Sequence, residues 1–322
     1  MYMIFINLLY IIPSMILYFA TVSALVVNWK PMRSSFFILY LFDFSMNLAT
    51  SFFTLITLKL SAATCATCFF SPLYEALQGT IVSNFLYAMM YHMSYVQYGT
   101  TALISVNRLS VIYDHFSYEK LWQKYFMIPM ILLVFLPFLG TGRLFWVTCV
   151  WGKRNEEETF WLACKASTDA LYTPLIVFQS VCIILSIICN VSSFVLVSRA
   201  SPEMKAKAEV NFTILISVTT IVQILGTSIS LLLNGDEGSG MKVFIHSYVL
   251  PIISDAITLM HPWLLILLSK PIRRCIRRDI LRRESASVDV LPRVNSVAGG
   301  HNPHQLQHPA SAASRSASKN QI

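Results

Sequence analysis

The sequence predicts an all-α membrane protein: a seven-transmembrane helix bundle, a short basic interfacial helix after the last span, and a polar tail. Three observations carry that expectation. Only 12% of the 322 residues are charged, against 55% hydrophobic, and a soluble domain carries about twice that share of charge. Mean hydropathy is +0.60. The apolar residues also gather into seven runs, each long enough for a hydrocarbon core of about 30 Å at about 1.5 Å per residue.

The first run, 3–27, begins almost at once and has no basic residue ahead of it; Lys30 and Arg33 follow. The apolar stretch of a signal peptide covers only about 7–15 residues, so this run is read as a retained first helix. The second, 36–58, carries Asp43 and Asn47. The third, 84–106, is the most polar, with Asn84, Tyr87, Tyr91, His92, Ser94, Tyr95, Gln97 and Tyr98. So much polarity requires a helix surrounded by other helices rather than by lipid. The fourth, 125–147, is interrupted by Gly140, Gly142 and Arg143. The fifth and sixth cover 173–197 and 211–233. The seventh, 244–268, holds Asp255 and the pair His261-Pro262.

Beyond Leu268 the character changes. In 269–283, Ile272, Cys275, Ile276 and Ile280 share one helical face, with arginines on the flanks. That pattern suits a helix on the inner membrane surface, its arginines near anionic lipid. Cys275 there is a candidate for palmitoylation. Residues 284–322 are rich in Ser, Ala, Pro, His and Asn and read as a disordered cytoplasmic tail.

Orientation follows from lysine and arginine. Alternate loops and the C-terminal segment hold eighteen of the 24, and the opposite side holds six: Lys59, Arg143, Lys153, Arg154, Lys165 and Lys242. Positive charge stays in the cytoplasm, so the N-terminus is expected outside and the C-terminus inside a multi-pass protein.

Intramembrane polar residues mark where chemistry can occur, because each costs free energy unless it faces protein or water. Asp43 and Asp255, facing each other across the bundle, would form a polar switch beside the helix-bending Pro262; hydrogen bonding to Asn47, Ser254 or Thr258 is the plainer reading. Asn84, Tyr87, Tyr91, His92 and Tyr95 are candidates to line a mostly apolar small-molecule pocket; a packed interior with bonded hydroxyls is the alternative. Arg108 closes the third span. It suits either a lock onto an acid such as Glu209 or a contact to lipid phosphate.

Cys65, Cys68, Cys149 and Cys164 all fall outside, where thiols oxidise. A staple between the two outer loops is expected, with three pairings open. The Asn190 and Asn211 glycosylation motifs lie within or at the inner end of spans. No nucleophile–base pair, cofactor motif or metal-ligand spacing is visible, so an enzyme is not expected. The net charge of +8 sits beside the spans, which points to membrane lipid and not to nucleic acid.

Particular stretches resemble a family. Ile12-Pro13-Ser14 with Leu17-Tyr18, Ser34-Ser35-Phe36-Phe37 with Asp43 and Asn47, and Leu268-Ser269-Lys270-Pro271-Ile272-Arg273 match loosely. Asn107-Arg108-Leu109-Ser110-Val111, followed by His115 and Tyr118-Glu119-Lys120-Leu121-Trp122-Gln123-Lys124, matches most clearly. Over about residues 10–278 the chain is similar to nematode serpentine receptors of class gamma, chemosensory relatives of G-protein-coupled receptors. The resemblance implies a receptor in the plasma membrane of a sensory neuron, binding a small-molecule ligand in its outer half and signalling to a heterotrimeric G protein. Arg108, Tyr118, Glu119, Lys120, Trp122 and Lys124 would then form the G-protein face.

Three departures stand out. Asn107 replaces the usual acid before the arginine, His261-Pro262 replaces Asn-Pro, and neither Cys65 nor Cys68 opens the third span. A transporter or ligand-gated channel is the competing class, without the inverted repeat expected of many transporters. An accessory membrane protein without its own ligand is another. Homo- or hetero-oligomers are compatible with either.

Overall fold

The computed structural model describes residues 2–29, 34–113, 118–153, 159–199, 209–234, 241, 244–269 and 272–278. The polar tail 284–322 and the end of the basic segment, 279–283, lie outside the described residues.

Helix α1 is Tyr2–Val27. Helix α2, Ser35–Thr54, starts at Ser34, whose extended backbone lets its Oγ accept from the Phe37 amide at 3.5 Å. It continues through a π-helical turn, Leu55–Leu60, to Ala63. A short helix α3, Ser71–Leu77, leads to α4, Ile81–Tyr113. Between them Gly79 adopts φ +69°, a left-handed backbone that glycine takes without a Cβ penalty.

Helix α5 is Tyr118–Tyr125 and α6 is Met127–Phe135. Then come α7, Phe138–Thr141, and a 3-10 turn, Gly142–Trp146. Strands β1, Cys149–Lys153, and β2, Phe160–Cys164, pair antiparallel. Helices α8, Thr168–Arg199, and α9, Glu209–Leu233, follow. A π-helical turn, Ile245–Val249, precedes α10, Leu250–Leu268, and residues 272–278 form α11.

Among the described residues, six segments are long and apolar enough to cross a membrane. Helix α4 is the seventh by length, its 33 residues covering about 50 Å. Its polarity keeps it off an apolar count and also explains its place. It packs on α2, α5, α6, α7, α8, α9 and both strands, so its polar faces meet protein. Around it α8 lies on α9, α9 on α10, and α10 on α1 and α2.

Apolar clusters hold both ends. At the end carrying Arg108, Tyr18, Leu25, Phe36, Leu39, Tyr40, Phe44 and Ile104 pack with Leu215, Ile216, Leu265 and Ile272. At the end carrying the hairpin, Tyr87, Tyr91, Leu144, Leu171, Tyr172, Leu175, Leu233 and Ile245 pack with Cys149.

The structure departs from the sequence expectation in four places. The fourth span, expected to be interrupted at Gly140, Gly142 and Arg143, runs as one membrane-length segment, Met127–Trp146, and its α-helical ladder is interrupted earlier, between Phe135 and Phe138, because Pro137 offers no amide. A β-hairpin interrupts the all-α pattern between α7 and α8, where only a loop was foreseen. The cysteines pair within their loops, Cys65 with Cys68 and Cys149 with Cys164, so no disulfide staples one loop to the other. Hairpin register explains the second pair, since Cys149 and Cys164 sit directly opposite each other. The loops meet instead through backbone, Phe160 N donating to Thr64 O at 3.4 Å beside the Cys65–Thr159 bridge. Finally, Lys59 is not an outer-loop residue: it lies in the π turn of the second span and is buried.

Candidate functional site

The centre of the bundle is polar, and its side chains are paired with one another. Asp43 of α2 accepts from Asn47 Nδ2 at 2.9 Å, one helical turn on. The same carboxylate oxygen lies 2.9 Å from His261 Nδ1 of α10. Asn47 Oδ1 in turn accepts from Gln97 Nε2 of α4 at 2.7 Å, which fixes the Asn47 amide with its nitrogen toward Asp43. Gln97 also reaches Thr258 Oγ1 at 3.1 Å, and His261 Nε2 faces Thr219 Oγ1 of α9 at 3.3 Å. Gln223 of α9 donates to Thr101 Oγ1 at 2.9 Å. Four helices are thus tied by side chains alone. Each interhelical bond of this kind contributes on average about 0.6 kcal/mol in a membrane.

Two prolines leave carbonyls without an intrahelical donor, and side chains from other helices supply one. Pro262 cannot donate to Thr258 O, four residues before it; Tyr18 Oη of α1 does so at 2.7 Å. Pro174 likewise leaves Ala170 O, and the Arg143 guanidinium donates to it. The carbonyl that Pro262 frees is therefore tied to α1, and α1 is held again where Trp263 Nε1 donates to Ser14 Oγ at 3.0 Å.

Asp43 and Asp255 do not form a facing pair. Asp255 has its own partners, accepting from Lys59 Nζ and from Tyr10 Oη. The Lys59 and Asp255 side chains are 3% and 4% exposed, so this is an ion pair inside the bundle. Lys59 was missed by sequence reasoning because it stands one residue past the drawn edge of the second span. The signal was there: a lone lysine in Leu55-Ile-Thr-Leu-Lys-Leu60 with a single acid in the seventh span to answer it.

The five pocket candidates separate into two groups. Asn84 is committed to the 3-10 turn and the hairpin: its Nδ2 donates to Phe145 O and its Oδ1 accepts from the Cys149 amide, both at 3.2 Å. His92 is 1% exposed, stacked on Phe138 with ring centroids 4.0 Å apart and Nδ1 3.2 Å from Thr141 Oγ1. Tyr87 and Tyr91 instead belong to an aromatic group with Tyr172 of α8, ring centroids 5.1 and 5.8 Å apart along the chain of three. Tyr95 packs on Phe178 at 5.1 Å.

At the other end of α4, Arg108 is buried and lays its guanidinium over the Phe36 ring, 3.2 Å from the centroid. Asn107 Nδ2 donates to Ser35 Oγ at 3.2 Å, so both residues bind the start of α2. Trp122 Nε1 donates to Ser110 Oγ at 2.8 Å, holding α5 against α4. Tyr118 is half-buried and Lys120 exposed, and Lys124 lies 5.1 Å from the Tyr125 ring. The side chains of Glu119 and Glu209 lie outside the described residues, so a lock from Arg108 to Glu209 does too. Ile272 is fully buried, and Cys275 and Ile276 pack on the same cluster. The apolar face of α11 is thus turned on the bundle and its arginines are exposed. Among the described residues no three His, Cys, Asp or Glu side chains gather as a metal site would require.

The chain is 26% identical over 295 residues to serpentine receptor class gamma-31 of Caenorhabditis elegans, a match covering 88% of this chain and 94% of that protein. The family model described as Srg family chemoreceptor matches residues 4–276. With a seven-helix membrane bundle and a polar core around the third span, the chain belongs to the Srg family of chemoreceptors.

Proposed function

We propose that this chain is a chemosensory receptor of the plasma membrane, N-terminus outside, which binds a small molecule at its hairpin end and signals to a heterotrimeric G protein at its Arg108 end. The observation that carries the reading is α4. One uninterrupted helix joins the aromatic group of Tyr87 and Tyr91 to Arg108 and to the loop held by Trp122. Between those ends it takes part in the buried network through Gln97 and Thr101. A ligand that prefers one arrangement of that network shifts the population of the Arg108 end. Lysine and arginine distribution supports the orientation, and the family supports the sensory role.

The test is expression in cultured cells with calcium and cAMP readouts during exposure to an odorant panel. Arg108→Ala should abolish signalling while surface delivery is kept. Full signalling by that variant would remove Arg108 from the mechanism.

A further inference from the structure

The proposed ligand site has an unexplained neighbour. Lys59 carries an ammonium with three donors, buried where lipid and protein offer little water. Among the described residues its hydrogen-bond acceptor is Asp255 Oδ1 alone. Asp255 is better served, holding the Tyr10 hydroxyl on its second oxygen. The pair sits at the depth of the aromatic group. Thr57, in the π turn of Lys59, bonds Met90 Sδ at 3.6 Å, between Tyr87 and Tyr91 on α4. Leu250, five residues before Asp255, packs on the apolar cluster that includes Tyr87, Tyr91 and Tyr172.

Resting on the receptor reading above, we propose that Lys59 is the anchor for an acidic ligand: a small carboxylic acid whose apolar body lies against Tyr87, Tyr91 and Tyr172. The asymmetry of the pair chooses the sign of the ligand. An amine that captured Asp255 would take from the buried Lys59 nitrogen, charged or neutral, its one acceptor among the described residues. An acid that captures Lys59 leaves Asp255 with Tyr10. Charge balances when the ligand enters as the neutral acid: its O–H bond breaks, the proton passes to Asp255, and the carboxylate formed pairs with Lys59. The cluster stays neutral throughout, which a low-dielectric site requires. Asp255 then acts as the built-in competitor of the ligand, and its release from Lys59 unties α10 from α2.

The experiment uses the full chain in lipid nanodiscs and follows Tm during titration with isovaleric and hexanoic acids, their primary amides, and isoamylamine. Acids should raise Tm of the wild type, and amides and the amine should not. Asp255→Asn removes the competitor, so acids should act on it at about tenfold lower concentration, a difference of about 1.4 kcal/mol. Lys59→Met/Asp255→Asn removes both charges together, and should fold and ignore acids. The assignment is overturned by an amide that acts as strongly as its acid, by an acid effect surviving in the double variant, or by a shift with the amine that Asp255→Asn abolishes. Silence of the acids overturns it as well. If neutral odorants or amines still evoke signals in cells, the receptor reading stands without it; silence of every compound in both assays counts against both.

Discussion

The Lys59–Asp255 pair gives the sharpest stability prediction. Both side chains are at least nine-tenths buried, so each charge depends on the other for what water would otherwise supply. Removing one partner of such a pair costs about 3–5 kcal/mol, whereas replacing both with neutral groups of similar size is often neutral. Lys59→Met should fall at the lower end of that range, because Tyr10 still donates to Asp255. Asp255→Asn should fall higher, since it leaves an ammonium alone. At about 2–4 °C per kcal/mol, the single variants should melt on the order of 10 °C below wild type. The double variant should recover most of that loss. The assay is thermal unfolding of purified protein, with surface delivery in cells as a second measure. Single variants within about 2 °C of wild type, or a double variant no better than the worse single one, would refute the claim that the charges are coupled and desolvated.

Three further outcomes follow from particular contacts. Tyr18→Phe orphans Thr258 O and should cost about 1–3 kcal/mol; Pro262→Ala restores a backbone donor to that carbonyl and should reduce the cost of Tyr18→Phe in a double-variant cycle. Gly226→Ala should destabilise by about 1–3 kcal/mol, because a Cβ there would stand 2.7 Å from Tyr98 Oη and 3.1 Å from Ile257 Cδ1. Gly140→Ala meets nothing within 4 Å and serves as its control, with unchanged or slightly raised Tm. Replacing Cys149 and Cys164 by serine opens a disulfide with a sequence separation of 15 and should cost about 3 kcal/mol, with the hairpin becoming sensitive to protease before the helices do.

The helices were legible because lipid imposes one simple rule, that backbone polar groups be satisfied within the segment, and apolar length reports it. The central place of α4 was legible too, since Asn84, Tyr87, His92 and Gln97 on one span have nowhere to go but inward. Side-chain partnership was less so. Asp43 and Asp255 looked like a pair because each is the acid of its span; only helix rotation reveals His261 beside one and Lys59 beside the other. Asn84 and His92 looked like ligand groups by type alone, yet each is spent on neighbours in the hairpin and α7. The hairpin was hidden for a different reason. Cys149–Lys153 and Phe160–Cys164 carry strand-forming aromatics, but a reading tuned to spans treats everything between them as loop. Pairing of the cysteines then follows from strand register, which residue spacing does not encode.

The reading as a whole depends on a bundle that crosses the bilayer an odd number of times with Arg108 on the cytosolic side. Epitope tags on the two termini, stained in intact and in permeabilised cells, test this most directly. The N-terminal tag should be stained on intact cells and the C-terminal tag only after permeabilisation. A C-terminal tag stained on intact cells, or both tags on one side, would contradict it.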